Sequence, residues 1–327
     1  MKRAVTRRFT LASASAMLTA KMDKSPGSYR VIDFKDYIAQ TDSLRAALPD
    51  TAVINTGQVE GLHYRLFRQS EEPEDVVVIY HGGGVSGDAG YDVIARQLCA
   101  EGPVAACLVD IRGHGFSTGE RGTVARPDRI WQDVDLLLAE MRRLFPNARR
   151  HLLGHSSGAG MLLNFLTRFP FTERADSLIL LAPELGPFSA TAKKTSAPFA
   201  RVRQWPFVVN ALSGGRLMGQ SQGVSLLFPA AVPEPPAGLV RHYSVNMANA
   251  LTPRHPGKQL AALPITTLIL AAAEDEIICC RALGELVARS GNARLAFQTI
   301  DRASHLGCVF VAYRFIHDFV TGCKARR

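Results

Sequence analysis

Three serines of this chain lie in the pattern Gly-X-Ser-X-Gly, which presents a nucleophilic hydroxyl when it forms a sharp turn between a strand and a helix. They are Ser117, Ser156 and Ser221. Only Ser156 has the required context, because the apolar run 149–153 precedes it and the helical pattern 159–166 follows it. Ser117 lies in a glycine-rich loop, and no buried strand pattern precedes Ser221. The sequence therefore predicts nucleophilic chemistry at Ser156.

A serine hydroxyl needs a neighbouring base and a carboxylate that orients the base. Among the downstream histidines we select His305, which follows a predicted strand and lies in a loop. The others are His242, His255 and His317. For the carboxylate we select Asp275, at the end of the apolar run 265–273. The alternatives are Glu274, Glu276 and Asp301. Catalytic groups belong on such loops at the carboxyl ends of strands, so we expect these side chains to meet there.

Backbone amides must face the oxygen that becomes negatively charged during attack on a carbonyl group. The sequence His81-Gly82-Gly83-Gly84 follows the apolar run 76–80. Glycines at this point let the backbone approach a substrate closely. We predict that the amides of Gly83 and Ser157 form the oxyanion hole.

Short apolar runs alternate with amphipathic helical patterns along most of the chain. The runs are 76–80, 104–109, 178–181 and 265–270, and the helical patterns are 91–99, 130–144 and 161–169. Uniformly apolar runs are typical of strands buried on both faces. The alternation predicts an α/β fold with a mostly parallel central sheet flanked by helices. A last strand, 295–300, and a last helix, 309–320, close the chain.

The alternation stops between residues 186 and 259, a segment rich in proline with scattered aromatic residues. A connection of this length is normally functional or a small subdomain, and we interpret it as a cap over the site. The predicted organisation is a basic N-terminal tail or targeting segment (1–30), a first core part (31–185), the cap (186–259), a second core part (260–320) and a basic C-terminal tail (321–327).

The net charge of +9 comes from the two ends of the chain. Residues 1–30 contain seven basic residues and one acidic residue, and residues 321–327 contain three basic residues. The body between them is balanced, with 28 basic and 28 acidic residues. This distribution argues against a body that binds nucleic acid.

The features that bear on localisation point in two directions. The six cysteines lack Cys-X-X-Cys spacing and most lie in apolar runs, which favours free thiols in a reducing compartment. Arg7 and Arg8 before a mildly apolar stretch resemble a twin-arginine export signal. The same composition also suits an organellar transit peptide or a plain basic tail. We expect a cytoplasmic protein, with export or an organelle as the alternative.

Together these motifs resemble the α/β-hydrolase fold family, most closely its monoacylglycerol lipase and lysophospholipase branch, which is related to serine aminopeptidases. The matching segments are 80–84, 110–119 and 154–158, together with Asp275 and His305. The resemblance implies an eight-stranded, mostly parallel sheet and a cap after the sixth strand. It also implies no cofactor, no metal, a structural role for Ser117, and a triad of Ser156, Asp275 and His305.

We therefore expect a serine hydrolase that cleaves a lipophilic carboxylic ester, similar to a monoacylglycerol or lysophospholipid, through an acyl-enzyme. The alternatives are a peptidase or thioesterase of the same fold, or a ligand-binding protein without turnover. A peptidase of the related branch needs acidic cap residues, and Glu234 is the only acid between 188 and 259. The expected partner is a small ester, with no nucleic acid and with transient contact at a membrane surface. Apolar cap side chains suit an acyl chain or the cap's own core equally well.

Overall fold

The computed structural model describes residues 32–49, 51–193 and 198–322. The predicted segment 1–30 lies outside the described residues, as does all of the predicted tail except its first two residues. The strands are β1 (Val53–Val59), β2 (Leu62–Arg68), β3 (Asp75–Tyr80), β4 (Val104–Val109), β5 (Arg149–His155), β6 (Ser177–Leu181), β7 (Ala200–Val202), β8 (Gln222–Leu226), β9 (His242–Ser244), β10 (Thr267–Ala272) and β11 (Leu295–Ile300).

Ten α-helices connect or flank these strands in the described residues. They are α1 (Phe34–Ala47), α2 (Tyr91–Glu101), α3 (Pro127–Leu144), α4 (Ser157–Arg168), α5 (Gln204–Leu212), α6 (Val245–Leu251), α7 (Pro256–Ala262), α8 (Cys280–Arg289), α9 (Cys308–Val311) and α10 (Tyr313–Gly322). A short 3₁₀ helix spans Pro187–Ser189. None of the helices in the described residues is long and apolar enough to cross a membrane.

Eight strands form one sheet in the order β1-β2-β4-β3-β5-β6-β10-β11. Strand β2 is antiparallel to both of its neighbours, and all the other pairs are parallel. The parallel strands therefore end at one edge of the sheet, where the loops after β3, β5 and β10 meet. The predicted α/β architecture with a mostly parallel sheet is confirmed.

The apolar strands are buried because helices cover both faces of the sheet. In β3, Val76, Val78 and Tyr80 belong to one hydrophobic cluster, whereas Val77 and Ile79 belong to the other. Helices α3 and α4 contribute to the first cluster, and α2, α9 and α10 contribute to the second. A strand between two such layers needs apolar side chains at successive positions, which explains its uniform sequence pattern.

The segment after β6 contains a second, antiparallel sheet in the order β7-β8-β9, together with helix α5. Helix α6, which follows β9 directly, contacts α3 and α4 of the core. The predicted cap boundary at residue 259 lies inside helix α7, so the chain returns to the core before that boundary.

Two other parts of the chain differ from expectation. The sequence patterns gave no prediction for α1 and β1, because β1 is an edge strand whose first four residues are exposed. The single predicted helix 309–320 is instead the two helices α9 and α10, which are separated at Ala312.

Candidate active site

Ser156 occupies the turn between strand β5 and helix α4. Its backbone has φ +53° and ψ −118°, a combination that non-glycine residues rarely adopt. The neighbouring glycines allow this turn. A Cβ at Gly154 would lie 2.6 Å from the backbone of Gly158, and a Cβ at Gly158 would lie 2.6 Å from the carbonyl oxygen of His81. A side chain at Gly154 would therefore collide with the backbone of the turn, and one at Gly158 would collide with the backbone at the end of strand β3.

The structure brings three of the predicted side chains together at the carboxyl end of the sheet. Ser156 Oγ lies 3.0 Å from His305 Nε2. On the other side of the ring, His305 Nδ1 lies 2.8 Å from Asp275 Oδ2. All three residues are buried. In this arrangement His305 can accept the Ser156 proton while its other ring nitrogen donates to Asp275.

The charge states of this group follow from its contacts. Asp275 Oδ1 accepts hydrogen bonds from the amides of Ile277 and Ile278, at 2.8 and 2.7 Å. Burial raises the pKa of Asp275. His305 and these amides lower the pKa by more than burial raises it, so the net shift is downward. Burial lowers the pKa of His305. Asp275 and Glu276 raise the pKa by more than burial lowers it, so the net shift is upward. The carboxylate is therefore ionised at neutral pH and favours the protonated imidazole.

The glycine loop after strand β3 lies beside the nucleophile. A Cβ at Gly82 would be 3.4 Å from Ser156 Cβ, and a Cβ at Gly83 would be 3.4 Å from Ser157 Oγ. The amides of Gly82 and Gly84 donate to tyrosine hydroxyls. Within the described part of the chain, the Gly83 amide has no acceptor. The Ser157 amide, at the start of α4, has no acceptor within its helix. Both predicted oxyanion-hole residues thus lie close to Ser156, and neither amide has an acceptor in the described contacts.

A chain of hydrogen bonds joins this glycine loop to the loop of His305. The Gly82 amide donates to the Tyr91 hydroxyl at 2.7 Å, and that hydroxyl donates to His155 Nδ1 at 2.7 Å. His155 Nε2 then donates to the carbonyl oxygen of His305 at 3.0 Å. Burial, followed by the nearby His305 ring, lowers the pKa of His155 to about 3. The His155 ring is therefore neutral, and its single N–H fixes the direction of the chain.

Tyr243, in cap strand β9, occupies the other side of the glycine loop. Its hydroxyl accepts the Gly84 amide at 2.6 Å and lies 2.8 Å from His114 Nε2. Burial, and then the neighbouring His81, keep the pKa of His114 well below its usual value, so the ring is neutral. His114 Nδ1 donates to the Arg112 carbonyl oxygen at 3.3 Å, so Nε2 accepts a hydrogen bond from the Tyr243 hydroxyl. The Val240 amide also donates to the Gly84 carbonyl oxygen at 2.8 Å. The cap thus contributes directly to the shape of the site.

The other two serines of the repeated pattern have local partners. Ser117 Oγ donates to the Asp110 carbonyl oxygen at 2.6 Å and accepts the His63 amide at 2.8 Å. Ser221 Oγ lies 3.2 Å from Met218 Sδ. Ser117 therefore connects its own loop to strand β2 and to the residue after β4, and Ser221 immediately precedes strand β8.

The alternative histidines and acids occupy other positions. His242 lies in strand β9, His255 precedes helix α7 and His317 is in helix α10. Glu276 accepts the backbone amide of His305 at 2.8 Å rather than its ring N–H. Glu274 is partly exposed and Asp301 is exposed. Among the residues that the structure describes, no group of three or more His, Cys, Asp or Glu side chains is placed to bind a metal ion.

Sequence reasoning did not identify Tyr91, His155 or Tyr243 as part of this site, and it considered Glu276 only as an alternative to Asp275. His155 precedes Ser156 and Glu276 follows Asp275, so their positions in the sequence indicate that they lie near the site. Tyr243 is 159 residues from Gly84 in sequence, and Tyr91 is nine residues from Gly82. In both cases a single tyrosine has no sequence pattern that reveals the partner of its hydroxyl.

Comparison with known proteins agrees with the core fold. A family model described as serine aminopeptidase, S33, matches residues 71–225. A monoacylglycerol lipase of Mycolicibacterium smegmatis is 32% identical over 108 residues, which are 33% of this chain and 38% of that lipase. The sequence match therefore spans less than half of the curated relative.

Solved structures extend the agreement over most of the chain. The monoacylglycerol lipase of Paleococcus ferrophilus superimposes with a TM-score of 0.60 and 18% identity, over 80% of this chain and 99% of that one. A soluble variant of the Saccharomyces cerevisiae monoglyceride lipase, in complex with a substrate analog, gives a TM-score of 0.60 and 12% identity, over 92% and 99%. The chain therefore has the α/β-hydrolase fold, and its sequence and structure are similar to those of monoacylglycerol lipases.

Proposed function

We propose that this protein is a serine hydrolase that cleaves carboxylic esters. The observation that carries the proposal is the pair of contacts on the two sides of the His305 ring. Ser156 Oγ lies 3.0 Å from one ring nitrogen, and Asp275 Oδ2 lies 2.8 Å from the other. A hydroxyl, a base and an orienting carboxylate in this order constitute the machinery of acyl transfer.

In the proposed reaction Ser156 Oγ attacks the ester carbonyl carbon while His305 Nε2 accepts the hydroxyl proton. The amides of Gly83 and Ser157 donate to the resulting oxyanion. His305 then returns the proton to the departing alcohol, which leaves Ser156 acylated. Water attacks the acyl-enzyme, His305 accepts a proton from the water and delivers it to Ser156, and the carboxylic acid departs.

We further propose a lipophilic ester, similar to a monoacylglycerol or lysophospholipid, as the substrate. The relatives named as monoacylglycerol and monoglyceride lipases support this class. The cap supports it as well, because Leu226 and Phe228 both pack against Gly84 of the glycine loop. Phe228 also contacts the ring of Phe199, with centroids 5.0 Å apart. An apolar wall therefore lies next to the proposed oxyanion hole.

The peptidase alternative receives less support from the cap. Its single acidic residue, Glu234, accepts the Leu239 amide and pairs with Arg241 at 2.9 Å. A carboxylate with these partners does not offer a free site for a substrate ammonium group. We therefore favour an ester over a peptide.

The outer surface of the cap supports transient contact with a membrane. It exposes several large apolar side chains, which are Phe188, Val202, Trp205, Val208, Leu212 and Leu217. Residues 186–259 also contain eight Lys or Arg residues against Glu234 alone. Apolar side chains among basic ones suit a surface that contains anionic lipids.

Replacing the nucleophile tests the proposed activity. We expect Ser156→Ala to lower kcat by about 10⁴-fold or more and to abolish labelling by a fluorophosphonate probe. The matched controls are Ser117→Ala and Ser221→Ala, which alter the other two serines of the pattern. Both should remain labelled, although Ser117→Ala should lose about 1–3 kcal/mol of stability with its two hydrogen bonds. Labelling of Ser156→Ala would refute the assignment.

The pH profile tests His305 as the base. Its raised pKa places the loss of its proton above the usual value of about 6.5, so kcat/KM should rise with pH through a midpoint above 6.5. Glu184 also raises the His305 pKa, so Glu184→Gln should move the midpoint to lower pH. Initial rates in buffers from pH 5 to 9 measure both midpoints. A flat profile would exclude His305 as the titrating base.

A panel of nitrophenyl esters tests the lipophilic substrate. We expect kcat/KM to rise by at least about tenfold from the acetate to the octanoate, because each buried methylene contributes about 0.8 kcal/mol. Phe228→Ala should reduce this preference, since Phe228 is buried beside Gly84. Trp205→Ala, at an exposed cap residue, is the control that should keep it. Rates that are constant or fall with chain length would contradict the proposal.

Vesicle sedimentation tests the membrane contact. The wild-type protein should bind vesicles that contain anionic phospholipid more tightly than neutral ones. The double variant Trp205→Ser and Leu212→Ser should bind about tenfold more weakly, because it removes exposed apolar area. Ile54→Ser, at an exposed residue of edge strand β1, is the control and should bind like the wild type. Equal binding of the double variant would contradict the cap as the contact surface.

A further inference from the structure

The hydroxyl group of Ser157 has no role in the mechanism described so far. Ser157 follows the nucleophile and begins helix α4. Its Oγ atom is buried and has no hydrogen-bond partner within the described residues. A buried hydroxyl without a partner is unfavourable, because water hydrogen-bonds it in the unfolded chain. Its position therefore suggests an acceptor that arrives with a ligand.

The glycine loop lies close to this hydroxyl. A Cβ at Gly83 would be 3.4 Å from Ser157 Oγ and 3.8 Å from the Tyr243 hydroxyl oxygen. The Ser157 hydroxyl thus lies beside Gly83, the residue whose amide is a proposed oxyanion donor. The hydroxyl and the backbone amide of Ser157, the first residue of α4, therefore both lie in this region.

The two flanking amides of the glycine loop are already occupied. Gly82 donates to Tyr91, and Gly84 donates to Tyr243. Three donors at this point consequently have no acceptor among the described residues: the Gly83 amide, the Ser157 amide and the Ser157 hydroxyl. Three donors around one oxygen suit an oxyanion better than a neutral carbonyl, because hydrogen bonds to a charged acceptor are stronger.

We propose that the Ser157 hydroxyl donates a third hydrogen bond to the oxyanion that forms when Ser156 attacks the ester. The inference rests on the proposed function and adds a catalytic side chain to it. A serine O–H rotates freely about its C–O bond, so it can turn towards the substrate oxygen as negative charge develops. The bond would act mainly on the transition state, and its loss should reduce kcat more than it changes KM.

Ser157→Ala tests this role, because it removes the hydroxyl and keeps the amide. We expect kcat to fall by about 100-fold with KM within about twofold of wild type. The affinity for a trifluoromethyl ketone that forms a tetrahedral adduct with Ser156 should fall by about the same factor as kcat/KM. Alanine favours helix at this position, so the thermal midpoint should stay close to that of the wild type.

Ser86→Ala is the matched control, since Ser86 Oγ is also buried without a partner in the described residues. It should keep kcat within about threefold of wild type. The proposal is overturned if Ser157→Ala keeps wild-type kcat, if its loss is confined to KM, or if Ser86→Ala loses as much. A different result, activity of Ser156→Ala, would refute the proposed function itself. Inactive Ser156→Ala beside fully active Ser157→Ala would therefore reject only the third donor.

Discussion

The positive φ of Ser156 is the constraint on which the geometry of this site depends. A non-glycine residue in such a conformation costs on the order of 1–3 kcal/mol, which the surrounding structure must offset. The Ser156 amide donates to the Leu181 carbonyl oxygen of β6, and the Ser156 carbonyl oxygen accepts the amides of Ala159 and Glu184. Hydrogen bonds on both sides of the residue therefore keep its side chain at the edge of the sheet.

The same turn determines which neighbours the nucleophile has. Strand β5 pairs with β3 on one side and β6 on the other, so the glycine loop after β3 ends beside Ser156. His155, the last residue of β5, contacts the Tyr91 hydroxyl and the His305 carbonyl oxygen. Two adjacent residues of this turn thus have different tasks. One carries the hydroxyl, and the other links the loops on either side of it.

The sequence predicted the parts of the fold that produce strong local patterns. Strand β4 has no charged residue, and β3 has one only at its first position, Asp75. The chain order of Ser156, Asp275 and His305 limited the choice of partners. The cap sheet was not predicted, because β7 and β9 are only three residues long and too short for a visible alternation. Its pairing depends on contacts that are distant along the chain, which local patterns do not record.

Tyr243 shows why the cap and the core are not independent. The cap contains the exposed apolar side chains and the apolar wall beside Gly84. Substitutions in the cap are therefore expected to alter substrate specificity. Yet strand β9 also supplies the hydroxyl that occupies the Gly84 amide and contacts His114. A residue such as Trp205 can change without altering these bonds, since it is half exposed on α5. Tyr243 cannot, because the loss of its hydroxyl would leave the Gly84 amide and His114 without a shared partner beside the oxyanion hole.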